Sequence, residues 1–457
     1  MAAPTTDKDD GIRLDILGQQ ILPIYTQICF IFSVADASSY LQLLETLEAG
    51  LGNLYTAFPW LAGRVLNEGT SASSTGVFKI RALGTQPHLV VKDIREDTSS
   101  PSMESLRQVN FPINALDESI FAPRKTKIDV NDSLSASSPE VLLFQATLIE
   151  GGLILTFLGH HQAMDGIGQD HIIRLFSKAC RKEKLTSEER VVGNLSPRNA
   201  IPLLDASCKP PSNLDHQIMN TSSSSSESDE GPPVCNWAYF SFTKSSLDTL
   251  KASAAQSSTS GFVSTDDALT AFVWRSVSSA RLARLNPATP STLARAVDVR
   301  KLLGISPMHP AFLQNMTYNS HTLRELIDLP LGALAWELRS RIDPETSTLV
   351  HDTRSLATLL AMSQEKSRIS FAACMNWTSD IFLSSWAKMK SYEYDFGPGL
   401  GSAEAVRRTR SHTTEGLMYL MPKAPNGDIG LVLCLSEEDL GVLRKNEEFS
   451  RFAEYVG

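Results

Sequence analysis

The sequence predicts an α/β fold of two lobes, each built from a mixed sheet with flanking helices. Three observations lead to this prediction. Apolar, β-rich runs alternate with segments of helical periodicity along the chain. A hydrophobic fraction of 42% in 457 residues supplies enough apolar side chains for a large core. A single clear break in composition, between Ile201 and Pro233, divides the chain in two.

Net charge and hydropathy exclude several classes of partner. A formal charge of −9 argues against a general nucleic-acid or anionic-membrane binder. The first residues carry Asp7, Lys8, Asp9 and Asp10 where a secretory signal needs an apolar run, and no later apolar run is long enough to span a bilayer. We expect a cytoplasmic protein. We also expect a monomer, although nothing in the sequence itself reports the oligomeric state.

The six cysteines are scattered and contain no Cys-x-x-Cys pair. Scatter of this kind in a long intracellular chain is typical of free thiols. We therefore expect neither a disulfide framework nor a zinc site.

The first predicted elements are a strand and a helix. Residues 22–32 form an apolar, strand-like run. Residues 38–51 follow with helical spacing, which predicts a helix with one apolar side formed by Leu41, Leu44, Leu47 and Leu51.

A hairpin and a helix follow. Residues 141–150 and 153–157 are β-rich runs separated by Gly151-Gly152, a strong two-residue turn signal. The second strand delivers His160 and His161 at its end. Apolar residues then recur at helical spacing, so we expect a helix beginning near Gly166. These residues are Ile172, Ile173, Leu175, Phe176, Ala179 and Cys180.

The composition break defines the predicted domains. Residues 1–204 form an N-terminal lobe, 205–233 a linker, and 234–457 a C-terminal lobe, part of which we expect to pack with the N-terminal lobe. The linker is rich in serine and proline and carries few apolar residues. Burial there cannot offset the loss of chain entropy, so we expect residues 219–231 to be mobile.

Further elements are predicted in the second half. Residues 237–242 and 294–299 read as strands, the latter ending at Arg300, and Ser264 or Thr265 caps a helix. Residues 416–421 and 429–435 flank Pro425-Asn426-Gly427-Asp428, a hairpin turn. Ser436 then caps a last helix.

The segment Leu158-Gly-His-His-Gln-Ala-Met-Asp-Gly166 places a base and an acid close together. A neutral imidazole has a suitable pKa for removing a hydroxyl proton, and His161 is the candidate base, with His160 a packing neighbour. By analogy with serine hydrolases, Asp165 could orient it. A metal site of His160, His161, Asp165 and His171 is disfavoured, because adjacent histidines point apart and no His-Glu-x-x-His pattern is present.

This segment resembles the His-x-x-x-Asp-Gly signature of the BAHD-type acyltransferases, which condensation domains of peptide synthetases share. Ser384-Ser385-Trp386-Ala387 and Tyr394-Asp-Phe-Gly-Pro-Gly399 resemble two further family elements, with proline where a tryptophan is common. Nearly the whole chain is similar to the fungal trichothecene 3-O-acetyltransferases. The resemblance implies a BAHD/chloramphenicol acetyltransferase-like fold with a tunnel between the lobes, and transfer of an acyl group from coenzyme A to an alcohol.

The resemblance also implies roles for residues. His161 is the general base. Asp165, placed with the catalytic residues, points away from the cleft in the family and pairs with an arginine, here Arg300 first and Arg295 second. Trp386 and Ser384 contact the reacting acyl group, and an indole N–H suits a developing oxyanion. The Asp-Phe-Gly element is structural.

Acetyl-CoA is the expected co-substrate, with no metal. Coenzyme A is strongly anionic, so an acidic protein must gather local positive charge to bind it. There are two candidate regions. One is the basic cluster that follows the Asp-Phe-Gly element and includes Arg410, and the other is the helix start at Ser264. The predicted contacts are Ser264, Thr265, Asp266, Ser384, Arg300, Arg407, Arg408 and Lys423.

For the acceptor, the resemblance implies a secondary hydroxyl of a terpenoid, the 3-hydroxyl of a trichothecene. The first alternative is another fungal metabolite, such as a polyketide, alkaloid or peptide product. The second is a condensation-type protein using carrier-bound acyl groups, which the free-standing length and the Asp-Phe-Gly element oppose. The third is an inactive relative serving as a binding protein, which the intact His161 and Asp165 oppose.

Overall fold

The computed structural model of the chain describes residues 11–82, 86–129, 139–194, 200–205, 212–219, 233–257 and 261–457. Within these ranges, strands in three sheets alternate with helices, which confirms the α/β prediction. The strands are β1 (Ile12–Arg13), β2 (Tyr25–Ser33), β3 (Gly63–Glu68), β4 (Val77–Ala82), β5 (Val90–Asp93), β6 (Leu142–Ile149), β7 (Gly152–His160), β8 (Cys235–Phe242), β9 (Pro290–Asp298), β10 (Gln314–Thr322), β11 (Ile381–Ser385), β12 (Ala405–Arg407), β13 (Leu417–Leu420), β14 (Ile429–Ser436) and β15 (Ala453–Tyr455). The helices are α1 (Tyr40–Ala57), α2 (Met103–Gln108), α3 (Glu118–Phe121), α4 (Gly166–Cys180), α5 (Ser187–Gly193), α6 (Lys244–Ser257), α7 (Thr265–Arg281), α8 (Leu323–Asp328), α9 (Leu331–Ser340), α10 (Leu349–Met362), α11 (Glu437–Lys445) and α12 (Glu447–Phe452).

A five-stranded mixed sheet in the order β12-β2-β7-β6-β5 forms the centre of the first lobe. Every residue of β7 is buried, because this central strand is covered on both faces. The edge strand β12 comes from far along the chain and pairs with β2, placing Ala405 opposite Ile31. Beside this sheet lies a small three-stranded one in the order β1-β4-β3.

A seven-stranded mixed sheet in the order β10-β9-β11-β13-β14-β8-β15 forms the second lobe. The helix α7 is buried along nearly its whole length against one face of this sheet. The opposite face contributes Ala294, Met316 and Val432 to the same hydrophobic core as Phe30 and Phe157 of the first sheet. The two lobes therefore share an apolar interface.

Both predicted hairpins are confirmed. In the first, Ile149 of β6 pairs with Gly152 of β7, and Gly151 in the turn has a φ of 72°, a conformation that glycine adopts without strain. In the second, β13 and β14 are antiparallel, and Gly427 in the turn has a φ of 93°.

The predicted apolar side of α1 was wrong at Leu41 and correct at Leu44, Leu47 and Leu51, which pack against the core. Leu41 is 70% exposed, whereas Leu43, Leu47, Leu51 and Leu54 are buried. These four residues recur at spacings of four, four and three, which keeps them on one face. The run of leucines in this segment fits either phase, so only the packing partners decide between them.

The end of the chain contains one helix more than predicted. Ser436 caps α11 by accepting a hydrogen bond from the backbone N–H of Asp439. The short helix α12 follows, capped by Asn446, and then β15 pairs with β8 at the edge of the second sheet.

Part of the predicted linker is packed. Residues 212–217 form a short 3-10 helix, and Ile218 pairs with Ile369. The Gln217 side chain is buried and donates to the Asn315 side-chain oxygen at 2.9 Å. Residues 206–211 and 220–232, which hold most of the segment expected to be mobile, lie outside the described ranges.

Two further findings concern the described ranges alone. No helix in them is long and apolar enough to cross a bilayer. Cys29, Cys180, Cys235, Cys374 and Cys434 are free thiols there, and Cys208 lies outside.

Candidate active site

His161 stands where β7 ends and the chain turns toward α4. His160 is the last residue of β7 and lies opposite Tyr25 of β2. The backbone N–H of His161 donates to the carbonyl of Ile24 at 3.0 Å, which ties the turn to the neighbouring strand. The imidazole of His161 lies edge-on to the ring of Phe312, with the ring centroids 5.2 Å apart.

One hydrogen bond decides which ring nitrogen of His161 can act as a base. Nδ1 lies 3.1 Å from the carbonyl oxygen of Met164. A carbonyl can only accept, so Nδ1 carries the proton and Nε2 keeps its lone pair. Burial lowers the pKa of the imidazole, although the Met164 carbonyl and the Asp165 charge partly oppose this effect. The ring is therefore neutral at pH 7.

His160 has a different environment from its neighbour. It is buried, and its ring meets that of Tyr25 edge-on at 5.7 Å. Burial lowers its pKa to about 3, so the ring stays neutral. This geometry supports the predicted packing role. Within the described ranges no three His, Cys, Asp or Glu side chains are arranged to hold a metal ion.

Asp165 holds the turn through four donors. One oxygen accepts from the backbone N–H of Gly168 at 2.8 Å, which caps α4, and from Arg300 Nη2 at 3.0 Å. The other accepts from Arg300 Nη1 at 2.9 Å and from the backbone N–H of Leu313 at 2.7 Å. The carboxylate makes no hydrogen bond to His161. Asp165 was predicted either to orient His161 or to pair with an arginine. The geometry favours the second role, with Arg300 as the partner.

This arrangement corrects two predictions. Asp165, placed with the catalytic residues, makes hydrogen bonds that hold the turn and none to His161. Arg300, placed among the coenzyme A contacts, is fully buried, and its donors are occupied by Asp165, Asp298 and the carbonyls of His309 and Ala311. A guanidinium with every donor paired inside the core has none left for a phosphate.

Trp386 and Ser384 lie together on the wall of a cavity between the two lobes. The indole Nε1 of Trp386 donates to the hydroxyl oxygen of Ser384 at 3.1 Å. The indole approaches the start of α4 closely, because a Cβ at Gly166 would stand 3.1 Å from Nε1. A glycine at this position therefore leaves room for the indole. The Trp386 N–H already has an acceptor, which leaves the Ser384 hydroxyl proton as the free donor.

The start of α7 is a closed hydrogen-bonded unit. Ser264 and Asp267 form a reciprocal capping box. Arg295 bridges Asp266 and Asp267, and Ser385 donates to Asp266. Arg295, the second candidate partner for Asp165, is thus engaged elsewhere. The carboxylate of Asp266 is also occupied. The proposed contact of Ser264, Thr265 and Asp266 with coenzyme A stays a prediction.

The predicted basic cluster does not form. The Arg407 side chain is buried and donates to the carbonyls of Asn110, Phe111 and Val406, so it cannot bind phosphate. Arg408 faces the cavity instead. Two other groups, Arg410 and Lys423, were predicted to form one cluster with these arginines. Successive residues of an extended chain point to opposite sides, which separates side chains that are adjacent in sequence. Arg410 pairs at the surface with Asp117, and Lys423 is exposed and does not line the cavity.

The Asp-Phe-Gly element is packed beneath the first sheet. Phe396 is fully buried and meets Phe30 and Phe32 edge-on, each with centroids 5.3 Å apart. Pro398, at the position where a tryptophan is common, is exposed. This packing supports the predicted structural role of the element.

His161 opens into a cavity of about 390 Å³ between the lobes. Both lobes line it, and apolar side chains make up most of the exposed wall. Much of the cavity wall was not predicted from the sequence, because the residues that form it are dispersed along the chain. The residues that sequence reasoning missed are Leu22, Thr26, Thr126, Phe371, Trp377 and Tyr419.

Comparisons with known proteins agree with this geometry. Residues 117–450 match the Transferase family, and residues 24–180 match the trichothecene 3-O-acetyltransferase-like N-terminal domain. The chain is 47% identical over 452 residues to the O-acetyltransferase dmxR13 of Cryptosporiopsis sp. (strain 8999), with 98% of each chain covered. It is 45% identical over 458 residues to the trichothecene 3-O-acetyltransferase TRI101 of Fusarium sporotrichioides, with 99% of each covered.

A solved structure extends the comparison to three dimensions. The crystal structure of the F. sporotrichioides TRI101 complexed with coenzyme A and T-2 matches with a TM-score of 0.90 and 46% identity. The match covers 98% of this chain and 99% of that one. The two-lobed fold predicted above is thereby confirmed. The chain belongs to the Transferase family, with the fold of the BAHD-type acyltransferases and an N-terminal domain of the trichothecene 3-O-acetyltransferase-like type.

Proposed function

We propose that the protein is an acyl-CoA-dependent O-acetyltransferase that transfers acetyl from acetyl-CoA to a secondary hydroxyl of a terpenoid, the 3-hydroxyl of a trichothecene. The observation that carries this proposal is the neutral His161, whose Nδ1 is tied to Met164 and whose ring opens into the cavity between the lobes. The similarity to transferases that act on trichothecenes supports the acceptor.

The geometry supports direct transfer. Nε2 of His161 takes the proton of the acceptor hydroxyl as its oxygen attacks the thioester carbon. The new C–O bond forms, the C–S bond breaks, and the protonated imidazole returns its proton to the departing thiolate of coenzyme A. Acetyl ester and free thiol are the products, so no covalent enzyme intermediate is needed.

Ser384 is the proposed donor to the acyl oxygen. The indole N–H of Trp386 can only donate, so it fixes the lone pair of the Ser384 oxygen and leaves the hydroxyl proton directed away from the ring. A donor placed where negative charge develops contributes about 3 kcal/mol to stabilisation of the transition state. Trp386 thus acts through Ser384.

The decisive experiment measures thiol release from acetyl-CoA together with the mass of the product. The wild type is supplied with a trichothecene that has a free 3-hydroxyl. His161→Ala is expected to lower kcat by roughly 10²- to 10⁴-fold, the usual contribution of a general base. His88→Ala is the matched control, because the His88 side chain is exposed, pairs with Glu48 and does not line the cavity. An active His161→Ala variant would contradict the assignment of the base.

A second candidate keeps the reaction and changes the acceptor. The similarity to dmxR13 is as high as that to TRI101, and its name specifies no trichothecene. Another fungal metabolite, such as a polyketide, alkaloid or peptide product, is therefore the alternative acceptor. Acetyl-CoA binding without acetylation of any trichothecene, and with acetylation of such a compound, would establish it.

We further propose that the protein acts as a monomer in the cytoplasm, without nucleic acid or membrane partners. The formal charge of −9 supports the absence of nucleic-acid and anionic-membrane partners. Light scattering during size-exclusion chromatography tests the oligomeric state, and fractionation of the host cells tests the location.

A further inference from the structure

Arg408 is a buried cation that lacks a carboxylate partner in the described chain. Its side chain is 4% exposed, and its one hydrogen bond there runs from Nη1 to the carbonyl of Gln27 at 2.9 Å. The other buried arginines have either carboxylate partners, as Arg281 also does, or more hydrogen bonds to the backbone. Arg295 and Arg300 are paired with carboxylates, and Arg407 donates to three backbone carbonyls.

Such a group has an energetic cost that its neighbours offset only in part. Removing a cation from water costs several kcal/mol unless partners replace its hydration. The guanidinium carbon lies 4.0 Å from the ring centroid of Tyr419 and 5.0 Å from that of Trp386. Contacts of this kind replace only part of the hydration that a cation loses on burial. Nε and Nη2 remain without a partner in the described chain.

The cavity that Arg408 lines has no acidic residue among its lining residues. Two further polar groups on this wall, the hydroxyls of Thr26 and Thr126, are buried and make no hydrogen bond in the described chain. Buried polar groups normally find partners. An apolar wall that carries one guanidinium with unpaired donors fits a ring skeleton with an oxygen atom at that point.

In the proposed reaction the thioester and the acceptor alcohol both enter this cavity, and each oxygen of theirs requires its own hydrogen-bond partner. The acyl oxygen of the thioester has the Ser384 hydroxyl as its proposed donor. The attacking hydroxyl has Nε2 of His161. The remaining donors of Arg408 are therefore left for other oxygens of the acceptor.

We infer that Arg408 is a specificity-determining residue, which binds an oxygen of the acceptor other than the attacking hydroxyl. That oxygen is a carbonyl, ether or ionised oxygen on an otherwise apolar ring alcohol. This inference rests on the proposed function and narrows its substrate class. A guanidinium presents two parallel donors, so it recognises the oxygen by direction as well as by charge.

The test is equilibrium binding of a trichothecene with a free 3-hydroxyl to the complex of the protein with coenzyme A, measured by calorimetry. Arg408→Met removes the charge and the donors, and Arg408→Lys keeps only the charge. Arg408→Met is expected to raise the Kd of the trichothecene about 10- to 100-fold, as for loss of a hydrogen bond to a charged group. The Kd of coenzyme A is expected to stay within about twofold of the wild-type value.

A second acceptor separates recognition from chemistry. Menthol is a ring alcohol with a single oxygen. Arg408→Met is therefore expected to keep the wild-type kcat/KM for menthol. Hydrolysis of acetyl-CoA by water, without any alcohol, is expected to be unchanged as well. Arg410→Met is the matched control, because Arg410 forms only an exposed pair with Asp117.

Several results would overturn the inference. An unchanged Kd for the trichothecene in both Arg408 variants would show that the acceptor does not meet this residue. A parallel loss of coenzyme A affinity would assign Arg408 to the cofactor side or to folding. Equal loss of activity with both alcohols would assign it to the acyl oxygen. A wild type that binds coenzyme A and no trichothecene would instead refute the proposed acceptor.

Discussion

A hydrogen bond between a ring nitrogen and a backbone carbonyl sets the chemistry of His161. Because Nδ1 faces the carbonyl of Met164, the tautomer is fixed without any help from a carboxylate. The carboxylate oxygens of Asp165, four residues away, accept hydrogen bonds from Arg300 and from backbone N–H groups. The base and the acid of the motif therefore do separate work, one in the reaction and one in the shape of the turn.

The pH dependence of the reaction follows from the lowered pKa of His161. Burial moves this pKa below its ordinary value near 6.5, so the base is unprotonated throughout the neutral range. We expect kcat/KM to be constant from pH 7 to 8 and to fall about tenfold per pH unit below the pKa of the free enzyme. Initial rates of thiol release across pH 4.5–8 measure this profile. A midpoint above 6.5 would contradict it.

Single residues were predicted unevenly from the sequence. The motif places His161 at a strand end, and the strand that ends at Arg300 brings the partner of Asp165 within reach. The three nearby arginines, by contrast, were read as one cluster. Whether Arg407 or Arg408 faces the cavity depends on the pairing of β12 with β2, which joins segments hundreds of residues apart. Local patterns carry no information on that pairing.

At the scale of elements, α4 has to approach its neighbours unusually closely. A Cβ at Gly168 would stand 2.0 Å from the carbonyl oxygen of Pro310, which is impossible without a shift of backbone. The glycine therefore allows the capped end of α4 to lie against the loop that carries the carbonyls paired with Arg300. Hairpins and helix starts such as this one were predictable because their signals are local. The order of strands in each sheet was not.

Gly168→Ala is expected to destabilise the protein by about 1–3 kcal/mol, as other overpacked sites do. Because the turn of Asp165 would move with the helix, we also expect a lower kcat. Gly52→Ala in α1 is the matched control: a Cβ there meets no atom within 4 Å, and the change is expected to stabilise by about 0.5–1 kcal/mol. Urea unfolding measures both, and equal stabilities would contradict the close-packing argument.

At the scale of the whole molecule, the ion pair of Asp165 and Arg300 joins the two lobes. Both side chains are almost fully buried, and the pair lies where α4 of the first lobe meets the chain that follows β9 of the second. Breaking one partner of a buried pair leaves an uncompensated charge. The pair thus specifies how the lobes meet as well as how the histidine turn is shaped.

Asp165→Ala and Arg300→Met are each expected to lower the free energy of unfolding by about 3–5 kcal/mol. The double variant is expected to lose less than the sum, because neither charge of the buried pair remains and the Asp298 carboxylate, the other partner of Arg300, is partly exposed to water. Denaturant unfolding of the four proteins gives the coupling energy. Strict additivity would argue against the pair. An Asp165→Asn variant with normal stability and a kcat reduced about 10⁴-fold would instead show that Asp165 orients His161 for catalysis.

The position of β12 affects how the protein is made. The first sheet gains its edge strand only when Ala405–Arg407 pairs with β2, near the end of the chain. A ribosome therefore releases most of the polypeptide before that sheet can be completed, and until then the apolar β2 has an open edge. Unpaired edges of this kind attract other chains. Chaperones that cover this open edge are accordingly expected to raise the yield of active protein.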